Sequence, residues 1–115
     1  MLITRVLAVA PVRDIEQSVA WYERLLARPA DRQPMPGLAD WHLTPNGWLQ
    51  VFQDPEHAGS TLINLQVDDL DRALADLAAR GITAGPVQTG GRISRFAAVH
   101  DPDGNRVTLV ENPVS

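Results

Sequence analysis

At 115 residues the chain has room for one domain, and its 44% hydrophobic residues suffice for an ordinary core. Fourteen acidic against ten basic residues give a net charge of −4, which argues against a nucleic-acid or anionic-membrane partner and mildly favours neutral or cationic ligands. The absence of Cys excludes disulfides, thiolate metal sites and thiol nucleophiles.

The N-terminal segment and the choice of basic residue indicate a compartment and a source. The segment from Met1 to Val6 lacks the long apolar stretch of a signal peptide, and no stretch approaches the length of a membrane span. All ten basic residues are Arg and none is Lys, which is typical of a GC-rich bacterial gene. We therefore expect a cytoplasmic bacterial protein.

In chain order, the first half predicts one strand, one helix and three further strands. A strand at about 3–10 is followed by Asp14, which is well placed to cap a helix. Apolar residues at helical spacing run from Ile15 to Leu26. Strands follow near 31–35, 39–44 and 48–53, and the last two are joined through the hairpin turn signal Asn46-Gly47. The stretch 54–60 is predicted to be a linker.

The second half repeats this order at an offset of 55 residues, as from Asp14 to Asp69. A strand at about 61–67 alternates Ile63, Leu65 and Val67 with polar residues, which predicts one face packed on helices. A helix from Leu70 ends before Gly81. Strands are predicted near 82–87, 94–100 and 106–111. The chain thus forms one α+β domain over 1–115, of two βαβββ repeats (about 1–54 and 60–115) with eight strands and two main helices.

Three motifs in this order resemble the vicinal-oxygen-chelate superfamily, in particular its glyoxalase and bleomycin-resistance proteins. They are Val12-Arg-Asp14-Ile15-Glu-Gln-Ser18-Val-Ala-Trp21-Tyr22, Val67-Asp-Asp-Leu70-Asp and the turn Asp101-Pro-Asp-Gly-Asn105. The resemblance covers essentially the whole chain. It implies the tandem βαβββ fold and a homodimer in which strands of both chains build each cleft.

The resemblance also implies four metal-ligand positions, and this sequence departs from the family at them. Metal-using members carry His, Glu or Gln at the positions that correspond here to Leu7, Gln50, Leu62 and Thr108. Leucine has no lone pair to donate, and an amide with a hydroxyl makes a poor transition-metal site. We therefore expect no metal and no other cofactor.

Other catalytic patterns are missing from the sequence. It contains no H-E-x-x-H, no G-x-S-x-G and no phosphate-binding Gly loop. His57 falls in the linker and is interpreted as a solvated residue, whereas His100 or Glu111 could serve as a base in a cofactor-free reaction. Nothing in the sequence singles out either of them.

Hairpin pairing predicts which side chains share the inner face of the sheet, because directly opposed residues project to the same side. A symmetric turn opposes His100 to Arg106, and two plausible registers at Asn46-Gly47 place Trp41 on the side of Trp48. Trp21 and Tyr22 are expected to pack against the sheet from the first helix. The predicted ligand-binding residues are Trp41, Trp48, Gln50, Phe52, Asn64, Gln66, Phe96, His100, Arg106 and Thr108.

Aromatic and amide side chains on one surface suit a planar or amphipathic organic ligand. The resemblance then implies a metal-free binding protein that sequesters an organic drug or metabolite, such as bleomycin, in a dimer cleft. The alternative is a glyoxalase-like enzyme (an isomerase, lyase or dioxygenase) that uses a divalent metal or metal-independent acid–base chemistry. A scaffold without a small ligand is a third possibility.

Overall fold

Two four-stranded sheets and two helices make up the computed structural model, which describes residues 1–91 and 94–111. The elements are β1 (Val6–Val12), α1 (Ile15–Leu26), β2 (Arg32–Met35), β3 (Leu38–Thr44), β4 (Gly47–Gln53), β5 (Leu62–Val67), α2 (Leu70–Ala79), β6 (Gln88–Gly90), β7 (Ser94–His100) and β8 (Arg106–Glu111). The predicted α+β fold of two βαβββ repeats is confirmed.

Each repeat forms its own sheet with the same strand permutation. Sheet 1 has the order β1-β4-β3-β2 and sheet 2 the order β5-β8-β7-β6. The first strand of each repeat runs parallel to the last, and the remaining pairs are antiparallel. The edge strands β1 and β5 are neighbours, but no strand pairing joins them in the described part of the chain.

Both helices start and stop where the sequence predicts. The carboxylates of Asp14 and Asp69 accept hydrogen bonds from the backbone amides of Gln17 (3.2 Å) and Arg72 (3.0 Å), which are otherwise unpaired in a first helical turn. Gly81 follows α2 with a φ of 82°, a conformation that favours glycine. Neither described helix is long and apolar enough to cross a membrane.

One continuous core lies between the helices and the helix-facing side of both sheets. Trp21 and Tyr22 are buried there on α1, as predicted. Ile63 is buried and Leu65 and Val67 pack against the same core, so the apolar row of β5 does face the helices. Burial of each side chain of this size stabilises the folded state by about 1.5–3 kcal/mol.

The prediction of a strand at 82–87 is wrong. The backbone amide of Ile82 donates to the Leu77 carbonyl (2.9 Å), and its side chain is buried, so the chain stays against α2. Pro86 then lacks the N–H that a strand ladder requires. Regular pairing of this segment with β7 begins at Gln88 and runs to Gly90, although the Gly85 amide already donates to the Ala98 carbonyl on β7 (2.9 Å). The first strand also differs from its predicted range of 3–10, because β1 begins at Val6 and ends at Val12.

A buried network of hydrogen bonds, which we call the turn network, joins the two repeats through the side chains of Tyr22, Asp101 and Asn105. The Tyr22 hydroxyl donates to Asp101 Oδ2 (2.8 Å). Asn105 Nδ2 donates to the Pro11 carbonyl (2.8 Å) and to Asp101 Oδ2 (2.7 Å), and Asn105 Oδ1 accepts from the Thr61 amide (3.0 Å). The turn between β7 and β8 is therefore tied to α1, to the end of β1 and to the start of β5.

The linker between the repeats is fixed at the same place. Gly59 has a φ of +83°, and its amide donates to the Pro11 carbonyl (3.3 Å). A Cβ on Gly59 would lie 2.3 Å from the carbonyl oxygen of Asp103, so no larger residue fits.

Asn105→Ala should destabilise the protein by about 2–4 kcal/mol, because it takes this partner from the partly buried Thr61 amide and from the buried Pro11 carbonyl. Urea denaturation followed by circular dichroism measures the loss. Asn46→Ala, in an exposed turn, is the matched control and should change stability by less than about 0.5 kcal/mol. Equal effects of the two substitutions would contradict the assigned role.

Alkaline pH should unfold the protein through Tyr22. Burial, followed by the adjacent Asp101 carboxylate, raises the pKa of the Tyr22 phenol far above its ordinary value. The unfolded chain loses this proton above pH about 10 and the folded chain keeps it, so stability present below that pH falls by up to about 1.4 kcal/mol per pH unit above it. The chain has one Tyr, no Lys and no Cys, so few other groups titrate in this window.

Urea denaturation at several pH values between about 9.5 and 11.5 measures this slope. Tyr22→Phe should flatten it. A slope that persists in Tyr22→Phe would assign the alkaline sensitivity to another group.

Candidate functional site

Nine of the ten predicted site residues lie on the inner face, defined as the side of each sheet turned away from the helices. They alternate with the buried, helix-facing residues of the same strands, such as Leu49 and Leu109. The nine are Trp48, Gln50, Phe52, Asn64, Gln66, Phe96, His100, Arg106 and Thr108. Their placement follows from the strand registers, and their contact with a ligand stays a prediction.

The predicted placement of Trp41 on the inner face is wrong. A bulge at Leu43 shifts the β3–β4 register, so that Trp41 opposes the core residue Leu49. Trp41 is fully buried, its ring centroid lies 6.1 Å from that of Tyr22, and its Nε1 donates to the Arg28 carbonyl (3.0 Å). One extra residue in a strand reverses every side chain beyond it.

Equivalent rows of side chains cross the inner faces of the two sheets. In repeat one Leu7, Trp48 and His42 are neighbours on β1, β4 and β3. In repeat two the same places on β5, β8 and β7 hold Leu62, Arg106 and His100. The Trp–His pair of one repeat thus corresponds to the Arg–His pair of the other.

The indole of Trp48 contacts the imidazole of His42 and the guanidinium of Arg5. The His42 ring lies 3.5 Å away, centroid to centroid, with 12° between the planes. The Arg5 guanidinium lies 3.8 Å from the ring centroid. His42 lies on β3, whereas Arg5 comes just before β1, and β3 and β1 flank β4 on opposite sides. A guanidinium over an indole is an attractive cation–π contact.

Asp40 lies beside this stack as a fully buried carboxylate. Its Oδ2 accepts from Arg32 Nε (2.7 Å), and Gln50 is its neighbour on β4. Asp40 Oδ1 and His42 Nε2 are both buried without a hydrogen-bond partner among the described residues. Arg32 therefore neutralises Asp40 but leaves part of its hydrogen-bonding capacity unused.

The loop between α1 and β2 fixes the position of His42. Asp31 Oδ2 accepts from the His42 amide (2.7 Å), and Arg28 donates both to Asp31 (2.8 Å) and to the His42 carbonyl (2.7 Å). The His42 amide first, and then Arg28, lower the pKa of Asp31 below its usual range. The imidazole of His42 is thus positioned through its backbone.

Two cavities bring predicted site residues together. One of about 500 Å³, with mostly apolar walls, runs along the β1–β5 seam and is lined by Trp48, Asn64 and Gln66 among others. The other, of about 340 Å³, lies on sheet 2 and is lined by Asn64, Phe96, Arg106 and Thr108, with Gln88 at its side. Gln50, Phe52 and His100 line neither of these two cavities.

The residues predicted for the site did not include Arg5, Arg32, Asp40 or Gln88. With the β3–β4 register known, alternation places Asp40 opposite Gln50 on the inner face, but the bulge that sets this register has no signal in the sequence. Arg5 precedes β1, and nothing in the sequence indicates that it covers Trp48.

The residues at the family's four metal-ligand positions do not fit a transition metal. Leu7, Gln50, Leu62 and Thr108 all lie on the inner face, where they offer two hydrocarbon chains, one amide and one hydroxyl. Within residues 1–91 and 94–111, the one group of His, Asp and Glu close enough to share a cation is Asp54, Glu56 and His57. That group lies in the linker, where His57 pairs with Asp54 (2.8 Å).

The two candidate bases differ in how far they are engaged. Glu111 Oε2 accepts from the Leu70 amide (2.6 Å) at the start of α2, and Glu111 Oε1 accepts from Arg95 (3.3 Å). Both carboxylate oxygens of Glu111 are thus engaged in hydrogen bonds that stabilise the fold. His100 is exposed on the inner face, next to Arg106.

A family model described as a glyoxalase-like domain matches residues 6–110. Comparison with curated protein sequences found no significant match. A glyoxalase/bleomycin resistance protein from Catenulispora acidiphila is 32% identical, covers 95% of this chain and 98% of its own, and superposes with a TM-score of 0.88.

Two further solved structures are named for what they bind. TnmS3, an antibiotic binding protein from Streptomyces sp. CB03234, is 27% identical with a TM-score of 0.78, over 96% of this chain and 98% of its own. A bleomycin-binding protein complexed with bleomycin is 23% identical with a TM-score of 0.76, over 94% and 98% of the two chains, and shows likeness of fold.

Proposed function

We propose that this chain, which belongs to the glyoxalase-like domain family, is a metal-free binding protein that sequesters a small organic drug or metabolite. The observation that carries the proposal is the chemistry of the inner faces. They combine the stacked Trp48 and His42 with amide side chains, and Leu7 and Leu62 stand at two of the positions where the resemblance implies metal donors. Such a surface holds an amphipathic molecule by stacking and hydrogen bonds. The likeness to an antibiotic binding protein supports the proposal.

Stacking on Trp48 would require the ligand to take the place of Arg5. The backbone of His42 is held by hydrogen bonds to Arg28 and Asp31. Arg5, by contrast, lies outside β1 and makes a long hydrogen bond to the Pro45 carbonyl (3.5 Å). A planar ligand would therefore enter on the side of Arg5. The His42–Trp48 stack would be retained in the complex.

The ligand site would be completed in a homodimer. Apolar side chains are exposed on the inner faces, namely Leu7 (40%), Val9 (39%), Phe52 (37%) and Leu62 (68%). Exposed apolar side chains on one face are typical of an interaction site. A second copy related by a twofold axis would cover both inner faces with one self-complementary contact.

Bleomycin should change the tryptophan emission of the protein at low micromolar concentration. Trp48 is the reporter, because Trp21 and Trp41 are buried in the core. Trp48→Ala should cost about 1–3 kcal/mol of binding by calorimetry, the range for an aromatic anchor in a desolvated pocket. Trp21→Phe is the control and should alter stability but leave affinity unchanged. An affinity for bleomycin that survives Trp48→Ala would contradict the assigned role of Trp48.

Sedimentation at tens of micromolar protein should give a particle of twice the 12.6 kDa chain mass. Leu62→Asp should shift it toward the monomer, because it places a charge in the surface that the partner would cover. The control is Ala78→Asp, which adds the same charge at an exposed position on α2 and should leave the particle mass unchanged. A monomeric wild-type protein would contradict the dimer.

A further inference from the structure

The cavity of about 340 Å³ on sheet 2 has a polar end and an apolar end. Arg106 pairs with His100, and Phe96 lies four residues before His100 on β7. About 13 Å along the strands therefore separates Arg106 from Phe96. Small side chains, Ala98 and Thr108, form the floor between them. Asn64 neighbours Thr108 on β5, and Gln88 neighbours Phe96 on β6.

We propose that this cavity binds an organic acid, with its carboxylate on Arg106 and its apolar body against Phe96. The inference rests on the proposed ligand-binding function and names the class of ligand. The length between the two ends fits an acid with a bicyclic aromatic body. The planar guanidinium donates two parallel hydrogen bonds to a carboxylate, and the Thr108 hydroxyl and Asn64 amide can also donate.

Arg106 is the guanidinium of this cavity, and its charge is not balanced by a neighbour. Within residues 1–91 and 94–111, no carboxylate lies within 4.0 Å of it, and none lines the cavity. Among the described arginines, Arg13, Arg28, Arg32 and Arg95 each form an ion pair, whereas Arg106 shares with Arg5, Arg24, Arg72 and Arg80 the lack of one. The neighbour of Arg106 on β7 is His100, which offers no negative charge.

The inner faces have the opposite charge balance to the chain as a whole. Among the described residues they carry the guanidinium groups of Arg5, Arg32 and Arg106 against the carboxylate of Asp40. The net charge of −4 comes from acidic residues on the helices, turns and linker. A ligand in the cavity meets the local field, which favours an anion, and not the net charge.

The two repeats differ at one equivalent position on the inner face of β3 and β7. The place of Ala98 in repeat two corresponds to Asp40 in repeat one, since each is two residues before the His of its row. In repeat one the chain supplies both the carboxylate and its guanidinium, Arg32. In repeat two Ala98 stands at the carboxylate's place, and the guanidinium of the cavity is Arg106, which stands at the place of Trp48. The ligand would supply the missing carboxylate.

The test compares two probes that differ in charge but share one shape, 2-naphthoate and 2-naphthamide. Binding is measured by calorimetry at pH 7 and low salt on the intact protein, with bleomycin as a third ligand. Wild-type protein should bind the acid at least about tenfold more tightly than the amide, as expected for a charge-assisted pair. Arg106→Gln should abolish this preference. Arg72→Gln, which removes the same charge from an exposed position on α2, should keep it.

Circular dichroism checks that each variant folds. Arg106→Lys is a second variant, which keeps the positive charge but cannot donate two parallel hydrogen bonds to a carboxylate. It should retain part of the preference for the acid. Equal binding of both naphthyl probes by wild-type protein, or a preference that survives Arg106→Gln, would overturn the acid site and leave small-molecule binding intact. Binding of bleomycin without either naphthyl probe would also overturn it. Failure of all three ligands would count against the proposed function as well.

Discussion

The hydrogen bonds of the buried pair Asp101 and Asn105 hold the two repeats together at one point. Asn105 bonds to the ends of elements from both repeats, and Asp101 receives the Tyr22 hydroxyl from the first helix. In a low-dielectric interior these bonds are strong, and each partner would be costly to leave unpaired. The joint lies at the end of β1 and the start of β8, the strands that carry Leu7 and Arg106. The arrangement of the two inner faces therefore depends on it.

The sequence predicts correctly those features that depend on local chemistry. Aspartate caps, a glycine after α2 and an alternating β5 each have a cause within a few residues, and all are confirmed. The symmetric turn after His100 gives the predicted pairing of His100 with Arg106, so the inner face of sheet 2 follows from its sequence. The repeat at an offset of 55 residues gives the order of the elements in the second half.

The failures depend on contacts that are distant in the chain. Trp41 faces the core because a bulge lets its ring reach Tyr22 and its N–H reach Arg28, and none of this is encoded near the Asn46-Gly47 turn. The strand predicted at 82–87 is lost because Ile82 packs back on α2. The same bulge brings His42 to Trp48, so the error in Trp41 and the stack at the site have one origin.

Gly59 has a consequence for how this chain can be rearranged. Connections between repeated units are the usual places where new segments are inserted or where a chain is cut and given new ends. Here the glycine backbone lies against Asp103 so closely that a single methyl group would collide with it. The connection acts as a fitted part of the joint and not as a tether. New termini or an added segment would be tolerated better at the Pro45-Asn46 turn, where both residues are exposed.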